Sequence, residues 1–298
     1  MSNNVSTSEV ATFLTCKQRW MYAHHPSYNL EPRTLGIALT RGVIGHAALE
    51  VFYKTIMDGK SHTDAVTAAN DYLAKKSLET MRLGDTDKLA MITSLSGMLQ
   101  EYYSEAKWLL DKYKVVGVEN LVKAPLPEAP HINFVGRIDL TLEELSGVNR
   151  GEWIPYDHKF TYNFWPEKAV RMNAQISNYV WALNEMGHRS RRGILGMNRY
   201  RENAQEKFSQ EEVSTNSVMR KNFINNHTVA AIEIVNLKSK PVVSIDDGIT
   251  RSTSKFNCEY CPFVDLCYTE ASGLDATIMR QASYRKNSYG YDNVLDVE

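Results

Sequence analysis

Residues 131–160 read HINFVGRIDLTLEELSGVNRGEWIPYDHKF, and the fold turns on this stretch. Ile132, Phe134, Gly136, Ile138 and Leu140 alternate with Asn133, Val135, Arg137, Asp139 and Thr141, which is the two-residue period of a β-strand. Ser146-Gly147 marks a turn, and Glu152–Phe160 reads as the second strand of the same hairpin. Side chains on a strand alternate faces. Asp157 and Lys159 therefore point one way with Trp153 and Pro155, while Ile154, Tyr156 and Phe160 take the other. Pairing of the two strands brings Asp139 towards Asp157. Two carboxylates and an ammonium then meet at one spot. Carboxylate oxygens are hard ligands suited to Mg2+ or Mn2+. A lysine beside them can orient a water and stabilise charge on a phosphoryl group, which is the equipment of metal-assisted phosphodiester hydrolysis. The plain alternative is a surface hairpin with solvated charges. D-x-K alone is common by chance, and it is the aspartate on the neighbouring strand that gives the triplet weight.

Upstream of this hairpin the pattern is helical. Ser6 to Glu9 has the spacing of a capping box and opens a helix whose apolar positions are Val10, Phe13, Leu14, Trp20 and Met21. A second helix is expected from about 35 to 57, ending at Asp58-Gly59. A third opens at Ser61–Asp64, and a fourth covers about 86 to 113. Val115–Val122 is valine-rich and extended. Downstream, Pro166 opens a helix running to Gly187, Gly193–Tyr200 is a further strand, and about 210 to 240 is partly helical. Mid-helix His46 lies among Val43, Ile44, Ala47 and Leu49, where a hydrogen-bonded core histidine is the ordinary reading. Gln175 and Tyr179 stand four apart on one helix face. Two basic runs, His188–Arg192 and Arg199–Arg201, offer arginines for phosphates or simply a solvated strand edge. Tyr162, Phe164 and Trp165 offer rings for unpaired bases or for a core.

The chain has 298 residues, 43% of them hydrophobic and 23% charged, an ordinary globular balance that excludes a disordered, collagen-like or coiled-coil chain. Thirty-four basic against 35 acidic side chains give a net charge of −1, so any nucleic-acid surface must come from local segregation of charge. No apolar run spans a membrane and MSNNVSTSEV has no secretory pattern, so a cytoplasmic location is expected. Cys258, Cys261 and Cys267 lie together as CEYCPFVDLC, with Cys16 far upstream. Two thiolates at C-x2-C converge on one centre, and Cys267 and Cys16 can complete a tetrahedral set for zinc or for an iron–sulfur cluster; spacing does not separate the two.

Taken in order, SxS…FLxCKQRW, GHAALE, GRID, DHK, QISNY and CEYCPFVDLC resemble the RecB-like branch of the PD-(D/E)XK nucleases over about residues 6 to 268. The resemblance is strongest to the iron–sulfur subgroup, which includes the AddB nuclease domain, the CRISPR-associated adaptation nuclease and phage RecB-like exonucleases. It implies an α/β fold with a restriction-endonuclease-like core, a mixed central β-sheet flanked by helices. It further implies one nuclease domain over 1–298, with a helical N-terminal portion at 36–113, a catalytic core at 114–201 and a cysteine segment at 251–268 closing onto Cys16. His46, Asp139 and Asp157 would be metal ligands, joined by His158 through its carbonyl. Lys159 would be the catalytic lysine, with Gln175 and Tyr179 as supports or DNA contacts. Cys16, Cys258, Cys261 and Cys267 would hold a [4Fe–4S] cluster. The family commonly has proline after its first cysteine, where this chain has Lys17. The implied activity is that of a Mg2+- or Mn2+-dependent exonuclease acting on DNA ends or single strands, with recombination or CRISPR proteins as partners. The rivals are a non-catalytic DNA-binding subunit and an electron-transfer protein, neither of which would digest DNA. Oligomeric state is not legible in the sequence.

Overall fold

A computed structural model describes residues 3–201, 203–241 and 243–287, which form two compact units. One is built from residues 36–122 and 137–221, the other from 1–35, 123–136 and 222–298.

The first unit begins with three long helices, α3 (Ile37–Met57), α4 (His62–Arg82) and α5 (Thr86–Lys112); β1 (Asn4–Ser6), α1 (Thr7–Thr15), α2 (Lys17–His24) and β2 (Leu30–Pro32) precede them in the chain and belong to the second unit. Their starts follow from local chemistry. Ser61 and Asp64 form a reciprocal capping box, and the Asp85 side chain accepts the Lys88 N–H. The apolar stripes of the three helices meet in one core with Phe52, Tyr53, Leu73, Leu99, Tyr102 and Tyr103 at its centre. That core also covers one face of a sheet, through Leu140, Leu142, Ile154 and Tyr156.

The sheet strands of this unit are the earlier part of β3 (Tyr113–Leu126) and the latter part of β4 (Ala129–Glu144), then β5 (Trp153–Thr161), β6 (Arg192–Arg199) and β7 (Phe208–Ser214). β4 and β5 pair antiparallel with Leu140 opposite Tyr156, as the hairpin reading expects. β5 and β6 are parallel with Lys159 opposite Met197, and β6 and β7 are antiparallel. The sheet is therefore mixed. The parallel step needs a crossover, which is supplied by α6 (Glu167–Arg171) and α7 (Ala174–Glu185). Val170, Ile176 and Val180 from these helices pack on Leu195, Met197 and Val213, covering the sheet's second face. This is an α/β fold with a mixed sheet flanked by helices, consistent with a restriction-endonuclease-like core.

Three details depart from expectation. The helix expected from Pro166 to Gly187 is interrupted at Met172-Asn173, where Asn173 turns out of the helix to cap Ile176. The stretch from about 210 to 240 is helical in part, as expected, with α8 over Ser217–Lys238, but it is entered through an unexpected strand at Phe208–Ser214. The basic run 188–192 is consumed internally. Arg192 is held between Glu144 (2.5 Å) and Glu212, Arg191 reaches Asn149 (2.9 Å) and Glu152 (3.6 Å), and His188 stacks on Trp153 at 3.5 Å.

In the second unit, β1 (Asn4–Ser6) pairs parallel with β4 at Asn133–Val135. The helix expected to run through Trp20 is two helices, α1 (Thr7–Thr15) and α2 (Lys17–His24). Cys16 breaks them by taking an extended conformation, φ −162°, and caps α2 by accepting the Arg19 N–H on its sulfur at 3.5 Å. Ser6 caps α1, but Glu9 does not reach back to complete a box; it accepts Trp20 Nε1 at 2.9 Å and pairs with Lys238 at 2.9 Å. β2 (Leu30–Pro32) pairs antiparallel with β8 (Tyr284–Lys286), and α9 (Lys255–Glu259), α10 (Val264–Ala271) and α11 (Thr277–Ser283) carry the C-terminal segment. Among the described residues no helix is long and apolar enough to cross a membrane.

Candidate active site

β4 and β5 place their acidic and basic side chains from one register. The Asp139 Oδ2 accepts the main-chain N–H of His158 at 2.7 Å, so the hairpin itself orients this carboxylate. On β5, the Asp157 Oδ2 lies 2.6 Å from Lys159 Nζ, the same-face pair that alternation predicts. Lys159 Nζ donates to Gln175 Oε1 at 3.1 Å, Gln175 Nε2 donates to the Tyr179 hydroxyl at 3.0 Å, and that hydroxyl donates to the Arg137 carbonyl at 2.8 Å. α7 thus supports the lysine through a chain of hydrogen bonds that returns to β4.

α3 brings His46, whose Nδ1 is 3.3 Å from Asp139 Oδ2. This approach depends on Gly45. A Cβ there would stand 2.3 Å from the Phe160 ring of β5, so only glycine lets the helix lie this close to the strand. Gly45→Ala is expected to destabilise the fold by about 1–3 kcal/mol through overpacking, more than the roughly 1 kcal/mol gained in helix propensity. It should also lower activity by moving His46 from Asp139. Urea melts together with digestion rates check it, and a variant as stable and active as the wild type would show that α3 does not need this contact.

Sequence reasoning missed Glu119. It lies on β3 with φ +51°, a left-handed conformation uncommon outside glycine. Its carboxylate, the His46 ring nitrogen and an Asp139 oxygen all lie within 4.8 Å of one another, a set able to hold a metal ion. No short motif marks it, because the bent backbone and not local spacing aims the side chain. Asp157 stands outside this set and faces Lys159. The His158 ring is elsewhere too. It is packed among Tyr53, Tyr102 and Tyr156 at 4.5–5.9 Å between centroids, with no hydrogen-bond partner on either nitrogen among the described residues.

The electrostatics fit a site short of positive charge. Burial raises the Asp157 carboxyl to about 6, with Asp139 adding to the rise and Lys159 opposing it. Burial, then Asp139 and Glu50, raise Glu119 to about 7. Burial would also raise Asp139, but the hydrogen bond and charge of His46, with His158, outweigh it and hold Asp139 low. Burial lowers His46, but Asp139 overrides it and the imidazole is raised. Burial drops His158 to about 3, so its ring stays neutral. Glu119 and Asp157, two carboxyls beside Asp139 that ionise reluctantly, are groups whose charge a divalent cation would relieve.

The four cysteines sit together in the second unit. Cys16, Cys258, Cys261 and Cys267 line one cavity of about 200 Å³, with Arg19 and Arg251 at its wall. Cys16 Sγ accepts N–H groups from Arg19 (3.5 Å) and Ser252 (3.4 Å). Burial raises the Cys261 thiol, and the sulfurs of Cys16 and Cys267 push it the same way, so three sulfurs sense one another. Burial would lower the Arg251 guanidinium, but Cys267 beside it outweighs this and raises it.

The chain matches the family model of the PD-(D/E)XK nuclease superfamily over residues 4–268 and belongs to that superfamily. Its members are metal-dependent nucleases, and among the described residues the His46–Glu119–Asp139 set is one that could hold such an ion. The chain is also similar to a solved structure described as "Crystal structure of SSO0001", at 14% identity, covering 64% of this chain and 80% of that one, with a TM-score of 0.32. That likeness is too slight to carry an argument. No curated protein matches the chain.

Proposed function

We propose that the protein is a Mg2+- or Mn2+-dependent DNA exonuclease that acts on ends or single strands. The observation that carries this reading is the meeting of His46, Glu119 and Asp139 on one side and the Asp157–Lys159 pair on the other, all from elements of one unit. His46, Glu119 and Asp139 would hold the ion, with Asp157 and the His158 carbonyl completing its shell. A divalent ion in that place supplies Lewis acidity towards a phosphoryl oxygen and lowers the pKa of a bound water. Lys159, steadied by Gln175 and Tyr179, keeps an ammonium where the phosphoryl group gains charge. The four cysteines, by their shared cavity and N–H···S bonds, would bind a [4Fe–4S] cluster with a structural role, tying α1 and α2 to the C-terminal segment. Recombination and CRISPR adaptation are the settings the iron–sulfur resemblance points to.

Digestion of end-labelled linear and circular DNA with each metal tests this. Linear DNA should be degraded from its ends with Mg2+ or Mn2+, circular duplex spared, and EDTA should stop the reaction. Lys159→Ala should lose about 10²- to 10³-fold in rate, the scale for one charge-stabilising group, with DNA affinity nearly unchanged because the charge acts in the transition state. Absence of digestion with either metal by the wild type, with DNA binding kept, would establish the non-catalytic binding subunit instead. A Lys159→Ala enzyme that binds poorly but cuts bound DNA normally would make Lys159 a binding residue.

A further inference from the structure

Beside the candidate site lies a group of arginines and rings that the site chemistry does not use. Of the three aromatics after β5, Phe164 joins the core beneath α6 and α7 and is covered by Arg199, whose Cζ is 4.2 Å from its ring. Tyr162 has the larger open face, 53% exposed against 37% for Trp165. Its ring meets Tyr200 edge to face at 5.7 Å. Arg41 lies over the Tyr200 ring at 3.8 Å, and Arg201 stands 5.9 Å from the Tyr162 ring. Among the described residues neither arginine forms an ion pair, and the buried Arg41 Nε has no hydrogen-bond partner. The backbone under Tyr162 is fixed, since Tyr200 N–H donates to the Thr161 carbonyl at 3.0 Å and the Thr161 hydroxyl to the Asn163 carbonyl at 2.7 Å.

Two elements independently place this group next to the site. Tyr162 is three residues beyond Lys159, roughly 10 Å along an extended chain. Arg41 is five residues before His46 on α3, roughly 7.5 Å along the helix. Between them Phe160 packs under Gly45 and 5.4 Å from the His46 ring. The distance from site to rings is thus one to two nucleotides of backbone.

A ring that is open, backed by a second ring and flanked by two arginines without an ion pair among the described residues, suits one ligand chemistry: a flat base with a phosphate on either side. In duplex DNA the base faces are covered by their neighbours. Only an unpaired strand, or a frayed end, can lay a base on Tyr162. We propose that Tyr162, backed by Tyr200 and flanked by Arg41 and Arg201, stacks an unpaired base one or two nucleotides from the cleaved bond, so that the strand to be cut enters as a single strand. This rests on the nuclease reading and adds to it the form of the substrate at the point of entry.

The test is binding of fluorescent oligonucleotides by the full chain, in Ca2+ without Mg2+ or Mn2+. The probes are a dT oligomer, the same oligomer with contiguous abasic sites, and a blunt hairpin duplex. Wild type should bind dT roughly 5- to 100-fold tighter than the abasic strand, the range for one stacked base. Tyr162→Ala should lose most of that preference with hairpin affinity unchanged, and Tyr162→Trp should restore it. Arg201→Gln should weaken dT and abasic strands alike and flatten the salt dependence by about 0.7 in log–log slope, one phosphate contact to a single strand. Equal binding of dT and abasic strands by the wild type, or an undiminished preference in Tyr162→Ala, overturns the platform. If digestion assays still show cleavage, the nuclease reading survives that result; no binding and no cleavage of any DNA overturns both.

Discussion

Asp139→Asn is expected to silence DNA cleavage by roughly a thousandfold or more while the protein stays folded, about 4 kcal/mol of transition-state stabilisation. Asp139 is the point where three elements meet. Its Oδ2 takes the His158 N–H from β5 and stands 3.3 Å from His46 of α3, and it shares the ligand set with Glu119 of β3. The amide keeps the shape and one acceptor oxygen, so the His158 N–H need not be orphaned and the hairpin should survive. What it loses is charge. A neutral amide binds a hard dication far more weakly than a carboxylate, and His46 loses the partner that raises its imidazole. Mn2+ binding should therefore fall together with rate. Asp157→Asn should reach a similar loss by two routes, since the ion's proposed shell would lose a carboxylate and Lys159 its 2.6 Å partner. Digestion with Mg2+ and with Mn2+, and Mn2+ titration of each variant, separate the two. Undiminished digestion by either variant would remove that residue from the site.

The parts of this arrangement that were legible are those whose signal is local. β4 alternates over many residues, α4 and α5 have capping residues, α3 to α5 have apolar stripes, and the Asp157–Lys159 pair follows from strand geometry alone. The illegible parts depend on distant partners. Glu119 enters the site only because β3 adopts φ +51° there, and nothing in V-G-V-E-N announces it. β7 carries F-S-Q-E-E-V-S, with Val213 its one fully buried side chain, so it has no alternation to read; pairing with β6 makes it a strand. The basic run 188–192 looks like a phosphate surface until Glu144, Glu152 and Glu212, 20 to 48 positions away, pair with its Arg191 and Arg192. Charge segregation in a sequence is a statement about neighbours along the chain, and ion pairs are made with neighbours in space. The same reason hid the break at Cys16. The apolar period continues through it, and what stops the helix is an extended residue whose sulfur accepts N–H groups from both Arg19 and Ser252.

Cys16→Ser is expected to cost the second unit its closure, and the metal content of the wild type decides between the two centres that cysteine spacing leaves open. All four cysteines line one cavity, and the proposal is that they hold an iron–sulfur cluster and not a single zinc ion. Arg19 and Arg251 at the cavity wall suit the net negative charge of either centre and do not discriminate. Anaerobically purified protein should then be brown, with iron and acid-labile sulfide in equal amounts, and Cys16→Ser should bleach it, since an oxygen ligand is a poor match for the cluster. Joining Cys16 to Cys258–Cys267 closes a loop of more than two hundred residues. In the chain-entropy account a cross-link over that length is worth about 5 kcal/mol, so protease should attack α1, α2 and the segment 251–268 together in the variant, while the rate per folded molecule stays near wild type. Colourless wild-type protein with one zinc per chain would sink the cluster and leave the closure argument standing. Wild-type protease resistance in Cys16→Ser would sink the closure itself, since Cys16 would then be a buried thiol and the other three cysteines would need a different fourth ligand.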